Sequence, residues 1–358
     1  MTALSDHRAG PRMAAGEATV RHVSSEAWDG TVAGFRDAVH EQTAVYNATR
    51  WGGSRVSCFT VERAGAVLGG GVAVTVRLPF LDRGLSIVKF GPLHRQGAQA
   101  PGDTLAVILR ALRDEFAGRR RHHLTVTPLS GPDDAALWEE SLRAAGFAHL
   151  RPAPDPARYL VDLSLDLDAQ RANLHGKWRY NLRKAEAAGL EIRRVEGAEG
   201  LDAFMALYEA MLARKRFDDT SGIGALPALM AARDEAIRPD IYLASLDGAP
   251  TAGAVIGRLG ERAMYLFGAT DGRALAAKAG YALHWHIIGA LTESGARWYD
   301  LGGTAGDAGL HQFKKQLVGR AGAIVDLPGD YVACDSALSG ALAHGVHGLR
   351  GLAARLRR

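Results

Sequence analysis

The sequence predicts an α+β protein of two similar domains, each a mixed, mostly antiparallel sheet flanked by helices. Three observations lead to this fold class. The 358 residues exceed the size at which one hydrophobic core is usual. Both halves contain a strand-turn-strand segment, and in their alignment Gly65 falls on Gly248 and Gly70 on Gly253. Two hairpins can align this well by chance, but in both halves a strand, an amphipathic helix and a short strand then follow in the same order.

In the first half, the strand ATVRHVS is expected to precede a helix over roughly 25–40 and a hairpin that turns at Ala64-Gly65. GLSIVKFGPLH is expected to form the next strand. Apolar residues at helical spacing predict a helix over 103–118 with Asp103 as its N-cap. HLTVTPL is then expected as a strand, and DAALWEESLRAAGF as a helix that ends at Gly146.

The proline-rich stretch RPAPDPARY is the expected domain border. We therefore divide the chain into a flexible tail (1–16), an N-terminal domain (17–152), a C-terminal domain (156–335) and a basic amphipathic helix (336–358). Leucines at helical spacing and arginines gathered near the end define this last segment. Such a helix could lie on an anionic membrane face or dock on the first domain, with its positive end complementing the helix dipole.

Composition indicates an ordinary globular protein, with 47% hydrophobic and 23% charged residues. Lys and Arg number 43 against 39 Asp and Glu, a mild excess that suits an anionic partner such as nucleic acid without requiring one. Two distant cysteines, Cys58 and Cys334, provide neither a disulfide framework nor a metal cluster and fit a reducing compartment. No signal peptide or run of 18 apolar residues is evident, so we expect a cytoplasmic monomer without a membrane span.

Three stretches of the second half carry a resemblance to a known family. They are KWRYNLRKAEAAGLEI (177–192), the segment from YLFGATDG to WYDLGG (265–303) and GLHQFKKQLVG (309–319). With the order of elements in each half, they resemble the GNAT acyltransferase fold. As a tandem of two such units, the chain resembles the Fem family, which comprises the aminoacyl-tRNA-dependent transferases that build peptidoglycan cross-bridges. The resemblance covers residues 156–330 well and the first half only loosely.

The resemblance implies transfer of an amino acid from aminoacyl-tRNA to an amine of a peptidoglycan precursor or related small acceptor. The amine attacks an ester carbonyl, and the oxygen that becomes anionic needs positive charge or N–H donors nearby. Lys314, preceded by Phe313, matches the family's Phe-Lys pair, whose lysine is implied to lie beside the tRNA 3' end or the tetrahedral centre. Lys315 could share a phosphate contact; the alternative for both lysines is a solvated pair.

Spacing does not identify a general base for this reaction. Asp300, at the end of the predicted strand RWYDL, is a catalytic candidate, although its carboxylate could simply cap the loop by accepting backbone N–H bonds. Asp307 and His311 are further local candidates. His284 and His286 are two residues apart on a predicted helix and cannot both face one metal, so no metal site is expected.

Basic and aromatic residues are the candidates for substrate binding. In the helix predicted from residue 177, Arg179, Arg183 and Lys184 form a basic ridge for tRNA phosphates or a uridine diphosphate, or else a plain solvated face. In VYNATRWGGSR (45–55), Arg55 follows Trp51 and matches the family's basic residue, usually lysine, that holds the diphosphate of a sugar-nucleotide acceptor. Two further candidates are Arg214, on an uncertain alignment, and Tyr281, in a stripe more typical of a core.

The donor has an alternative. Acetyl-CoA-dependent GNAT enzymes carry a Q/R-x-x-G-x-G/A motif whose backbone N–H groups hold pyrophosphate at a helix N-terminus. The corresponding stretch AKAGYA (277–282) fits only its later positions. We therefore expect no cofactor and a tRNA-borne donor, with an acyl-CoA-dependent N-acyltransferase as the alternative and a non-catalytic tandem binding protein as a second.

The glycine-rich stretch YDLGGTAGDAGLHQFKKQ resembles a phosphate-binding loop only superficially. It lacks the G-x-x-x-x-G-K-[ST] spacing, so it does not predict an NTP site. We expect instead a mobile connection that leaves the strand at Asp300 and brings Phe313 and Lys314 to a cleft between the domains.

Overall fold

The chain forms two seven-stranded sheets that share one strand order. The computed structural model describes residues 17–77, 83–96, 103–215 and 221–335. The predicted flexible tail and the predicted C-terminal basic helix lie outside these residues.

The first sheet consists of strands from the first half and one strand from the end of the described chain. Adjacent strands in this sheet pair antiparallel, except for one central parallel pair, β4 and β5, whose bounds are given in the next sentence. Across the sheet the strands are β1 (Thr19–Val23), β2 (Val56–Arg63), β3 (Ala66–Arg77), β4 (Gly84–Lys89), β5 (His122–Thr127), β14 (Asp330–Ala333) and β6 (Ala148–Arg151).

The second sheet repeats this arrangement, with β11 and β12 below as its parallel pair. The predicted fold class, a mostly antiparallel mixed sheet in each of two units, is therefore confirmed. Across the sheet the strands are β8 (Glu191–Val195), β9 (Asp240–Leu246), β10 (Ala249–Gly257), β11 (Arg262–Thr270), β12 (Trp298–Asp300), β7 (Ala157–Asp162) and β13 (Ala323–Asp326).

Helices cover both sheets and bury their apolar faces against them. In the first unit α3 and α4 pack on the sheet, and in the second α6, α9 and α10 cover one face while α7 covers the other. The helices are α1 (Ser25–Val32), α2 (Ala44–Trp51), α3 (Thr104–Leu112), α4 (Ala135–Ala144), α5 (Leu167–Asn173), α6 (Gly176–Glu186), α7 (Gly197–Lys215), α8 (Leu226–Met230), α9 (Ala279–Glu293) and α10 (Ala308–Val318).

The aligned hairpins of the two halves turn in the same way. Ala64 and Gly65 between β2 and β3 have φ of 51° and 82°, and Asp247 and Gly248 between β9 and β10 have φ of 51° and 75°. Two consecutive residues with positive φ make a tight turn whose twist matches that of the strands. The repeat seen in the sequence is thus a structural repeat.

The last strand differs from the predicted division of the chain. The C-terminal domain was expected to run over 156–335, but β14 lies between β5 and β6 in the first sheet. In the second sheet the equivalent place is taken by β7, which directly follows the proline-rich border. The chain therefore returns to its first unit after completing the second.

Two predicted helices differ in detail. The helix expected over 25–40 ends at Val32, because the following segment is held by the second unit: the Arg36 carbonyl accepts the Glu261 N–H at 2.7 Å. The helix expected over 103–118 is α-helical to Leu112 and continues as a π-helical segment, Arg113–Arg119. Asp103 stands at its N-cap position, but its side chain makes no capping hydrogen bond.

The two units share an apolar core. One cluster contains Trp28 and Phe35 of the first unit together with Leu229 and Ile237 of the second. A smaller cluster joins Val39 and Phe90 to Met264. The surfaces that face each other across the junction are therefore fixed by packing from both halves of the chain.

Candidate active site in the cleft between the units

The parallel strand pair is closed in the first unit and open in the second. β4 and β5 pair along their full length, from Gly84–His122 to Lys89–Thr127. β11 and β12 pair only from Arg262–Trp298 to Met264–Asp300. From residue 265 onward, this edge of β11 has no ladder partner among the described strands. A strand edge that offers N–H and C=O groups is a place where an extended ligand can bind.

A cleft of about 430 Å³ lies beside this open edge, and both units line it. Its floor is β11 from Met264 to Phe267, and one wall is the loop 301–305 that follows β12. The opposite side and rim come from earlier and neighbouring parts of the chain. These residues are Glu41, Tyr46, Asp155, Arg158 and Ser221.

Lys314 reaches this cleft from α10. Its side chain is 5% exposed, and Nζ donates to the carbonyl oxygens of Leu301, at 2.7 Å, and Gly303. An ammonium group has three N–H donors, so one remains for the cleft that the residue lines. Burial, reinforced by the positive charge of Arg158, lowers the pKa of Lys314 to about 8. Lys314 thus has a fixed position, and its two carbonyl partners leave one N–H donor unused.

The glycine-rich loop that accepts these bonds is itself held in place. Asp300 accepts the Gly302 N–H at 2.8 Å, and Asp155 accepts the Ala305 N–H at 2.7 Å. A Cβ on Gly303 would lie 2.1 Å from an Asp155 carboxylate oxygen. The segment expected to be a mobile connection is therefore clamped at several points.

Asp300 lies behind the cleft and does not line it. Its carboxylate is fully buried, 2.9 Å from the Arg158 guanidinium and 3.6 Å from that of Arg262. Although burial opposes the charge, Asp300 raises the pKa of Arg158 above its usual value. The geometry makes Asp300 a support for the arginines and the loop, the capping role that was its alternative.

Phe313 and Tyr281 also lie behind the cleft, in an aromatic cluster that fixes α10. The Phe313 ring lies 5.9 Å from Trp178, 5.0 Å from Tyr281 and 5.5 Å from His284, measured between ring centroids. Tyr281 accepts a hydrogen bond from the Asn181 amide at 3.2 Å. Burial, with a smaller contribution from Lys314, lowers the pKa of His284 to about 3, so its ring is neutral.

The remaining local candidates for a base are engaged in structure. Asp307 caps α10 by accepting the Leu310 N–H at 2.7 Å. His311 forms a hydrogen bond through Nδ1 with the Tyr159 hydroxyl. Neither residue lines the cleft.

The predicted basic ridge on α6 is partly structural. Arg179 donates to the carbonyl oxygens of Ala172, at 2.9 Å, and Leu174, which ties α6 to the end of α5. Arg183, Lys184 and Lys315 are exposed. Each of these three cations is accessible to an anionic ligand.

The residue of α2 that lines the cleft is Tyr46, five positions before the predicted Trp51. Trp51 is 41% exposed, and neither it nor the exposed Arg55 lines the cleft. Tyr46 does line it, and Arg50 donates to the Tyr46 hydroxyl and to the Ser221 carbonyl, both at 3.1 Å. The sequence analysis did not identify this pair; the signal that could have found it is the spacing of Tyr46 and Arg50, which places both on one helix face.

Arg214 lies at the end of α7, where its guanidinium donates to the Thr270 carbonyl at 3.0 Å. It does not line the cleft. Among the residues that the structure describes, no group of His, Cys, Asp and Glu side chains is placed to bind a metal. Over the same residues, no helix has the length and apolar character that crossing a membrane requires.

Comparison with known proteins shows that this architecture is shared. A sequence model described as an acetyltransferase (GNAT) domain matches residues 169–315, within the second unit. The crystal structure of FemX superposes with a TM-score of 0.72 at 17% identity, covering 91% of this chain and 98% of FemX. No curated protein matches the chain by sequence.

Two other solved structures share the fold. A conserved protein of unknown function from Bacteroides thetaiotaomicron VPI-5482 superposes with a TM-score of 0.60 at 11% identity, covering 88% of this chain and 98% of that one. The C-terminal domain of a putative lysylphosphatidylglycerol synthetase from Agrobacterium fabrum gives 0.53 at 15% identity, with 89% and 93% covered. These likenesses confirm the predicted resemblance to the Fem family at the level of its tandem GNAT fold.

Proposed function

We propose that this chain, which has the fold of FemX, is an aminoacyltransferase that moves an amino acid from aminoacyl-tRNA to an amine acceptor. The neutral amine attacks the ester carbonyl, the bond from that carbon to the tRNA 3' oxygen breaks as the amide bond forms, and the proton lost by the amine ends on the 3' oxygen, which leaves as a hydroxyl. The acceptor is a peptidoglycan precursor or a related small amine. The cleft between the units, beside the open edge of β11, is the proposed place of reaction.

The environment of the Lys314 amine is the observation that carries the proposal. Two carbonyl oxygens hold its amine, and the third N–H remains for the cleft. A positive donor fixed before the reaction stabilises the oxyanion of a tetrahedral intermediate without reorganising. With a pKa of about 8, most of the lysine is charged at pH 7.

Charge and fold support a tRNA donor. Arg183, Lys184 and Lys315 are exposed cations on α6 and α10, helices that pack together in the second unit. Phosphate contacts of this kind add binding free energy that falls as salt concentration rises. The fold is shared with FemX and with a domain of a putative lysylphosphatidylglycerol synthetase, whose name implies an aminoacylated product.

The donor is tested by mixing purified protein with radiolabelled aminoacyl-tRNAs and a panel of amine acceptors, with and without prior RNase treatment. We expect label to pass to an acceptor, and RNase treatment of the tRNA followed by removal of the small labelled fragments to abolish transfer. Product that forms after RNase treatment and requires acyl-CoA would overturn the tRNA donor.

One feature favours the acyl-CoA alternative. Helix α9 begins at Ala279 in the stretch AKAGYA, and no side chain caps its N-terminus. A helix N-terminus suits a pyrophosphate, although here the Ala279 and Tyr281 N–H groups already donate to the Ala274 and Lys278 carbonyl oxygens, both at 2.9 Å. The same assay, with acetyl-CoA in place of the tRNA, distinguishes the two donors.

A further inference from the structure

We propose that Glu41 is the residue of the cleft that binds an ammonium group of the acceptor. This inference deepens the proposed function, on which it rests, by assigning the acceptor a cationic amine and naming its receptor in the first unit. The resemblance assigned no role to Glu41, which precedes the stretch that it matched.

The segment around Glu41 is rigidly held. The Gln42 side chain donates to the Lys89 carbonyl at 2.7 Å and accepts the Val72 N–H at 2.8 Å. Thr43 donates to the His40 carbonyl at 2.8 Å and caps α2. Since the residues that follow Glu41 are fixed to the first sheet and to α2, its carboxylate is presented from a rigid support.

The Glu41 carboxylate itself lacks a full set of partners. The side chain is 13% exposed, and its Oε2 is buried with no hydrogen-bond partner. Leaving a buried acceptor without a donor costs on the order of 1–3 kcal/mol, and more for a charged group. Such an atom in a native fold calls for an external partner, and the cleft is the space that Glu41 borders.

Neighbouring cations do not supply the missing hydrogen bond. Lys89 lies 3.9 Å from Oε1, beyond hydrogen-bond distance, and is about half exposed, so that ion pair is weak. Arg158 is close enough for Glu41 to contribute to its electrostatics, but its guanidinium donates to Asp300. A ligand in the cleft can pair with this carboxylate, and a primary ammonium supplies both a hydrogen-bond donor and the opposite charge.

The arrangement places unlike groups on the two units. The first unit contributes the Glu41 carboxylate, and the second contributes the Lys314 ammonium. An acceptor amine is attracted to the former, while the carbonyl oxygen of the donor is attracted to the latter.

Binding measured without any donor tests this inference separately from the transfer reaction. The full chain is titrated by NMR with Nα-acetyl-lysine methylamide, which has one ammonium, and with its Nε-acetylated counterpart, which has none. We expect the cationic probe to bind about tenfold more tightly than the neutral one, as a charge-assisted contact should. Glu41→Gln should abolish this preference, because the amide carries no charge.

Glu139→Gln is the matched control, since Glu139 is an exposed carboxylate on α4 that does not line the cleft. It should keep the preference. Glu41→Gln retains the shape of the side chain, and an unchanged thermal unfolding midpoint would show that it folds. Equal binding of the two probes to the wild type, or a preference that survives in folded Glu41→Gln, would overturn the assignment. If the wild type prefers the cationic probe but transfers no amino acid from tRNA, the result would instead count against the proposed function alone.

Discussion

The properties of Lys314 come from its immediate neighbours. Its amine is buried, bonded to the Leu301 and Gly303 carbonyls and close to the charge of Arg158, and its pKa falls to about 8. At pH 7 roughly nine-tenths of the molecules therefore carry the charge, and at pH 9 roughly one-tenth do. A residue that stabilises an oxyanion should act in its protonated form.

This protonation predicts the pH dependence of the reaction. The ratio of wild-type to Lys314→Met kcat/KM should be constant below pH 7 and fall about tenfold for each unit above pH 8. The ratio is used because ionisation of the acceptor amine affects both proteins alike. Steady-state rates from pH 6 to 10 provide the measurement, and a ratio that rises above pH 8 would indicate a lysine that acts as a base.

Arg50 provides a second prediction at this scale. It bridges Tyr46 and Ser221 at the rim of the cleft, whereas Arg55 is exposed and outside it. If a sugar-nucleotide diphosphate is held at this rim, Arg50→Ala should weaken binding of UDP-N-acetylmuramoyl-pentapeptide about tenfold, and Arg55→Ala should leave it unchanged. Calorimetric titration measures both, and a larger effect of Arg55→Ala would instead support Arg55 as the residue that holds the diphosphate.

At the scale of elements, the loop between β12 and α10 determines where Lys314 can act. Asp155, from the proline-rich border, and Asp300, at the end of β12, each accept a backbone N–H of this loop. The loop in turn provides the carbonyl oxygens that hold the lysine. The position of the Lys314 ammonium thus depends on two carboxylates that hold the loop but form no hydrogen bond to the ammonium themselves.

Gly303→Ala tests this dependence. The added Cβ would lie 2.1 Å from Asp155, so the loop or the carboxylate must move. We expect a loss of about 1–3 kcal/mol in unfolding free energy and a reduced transfer rate. The matched control is Gly272→Ala, since nothing lies within 4 Å of a Cβ there. Denaturant unfolding and rate assays that show the two variants alike would contradict the clamped loop.

At the scale of the whole molecule, the cleft exists because two similar units differ at one place. The parallel strands pair fully in the first unit and diverge after Met264 in the second. The first unit then contributes Glu41 and Tyr46 to the other side of the opening. The shared apolar cores hold the two sides together, so the site belongs to neither half alone.

The position of β14 in the first sheet predicts that the end of the chain contributes to the stability of the first unit. Ending the chain after Pro328 removes the strand that lies between β5 and β6. Amide hydrogen exchange should then accelerate in β5, which belongs to the first unit, more than in β9 and β10 of the second. Intact protein provides the reference. Loss of protection confined to the second sheet would contradict this strand order.

Local patterns explain what the sequence could predict. Hairpins with two turn residues and amphipathic helices such as α3 are specified by neighbouring residues, and the repeat then indicated the tandem fold. Lys314 could be proposed from the sequence because its motif is contiguous, and the structure places it at the cleft. Contacts between distant segments could not be predicted from the sequence. Arg50 donates to the carbonyl of Ser221, which is far along the chain, and β5 pairs with β14 although most of the chain separates them. The burial of Glu41 likewise depends on both units.

The most direct measurement of the central claim is single-turnover transfer from aminoacyl-tRNA by the wild type, Lys314→Met and Lys315→Met. Lys314→Met should slow the chemical step about 10²–10³-fold, the usual effect of losing an oxyanion donor. Lys315→Met, which changes an exposed neighbour on the same helix, should affect donor binding at most and become milder as salt increases. A folded Lys314→Met that transfers at the wild-type rate would contradict the account.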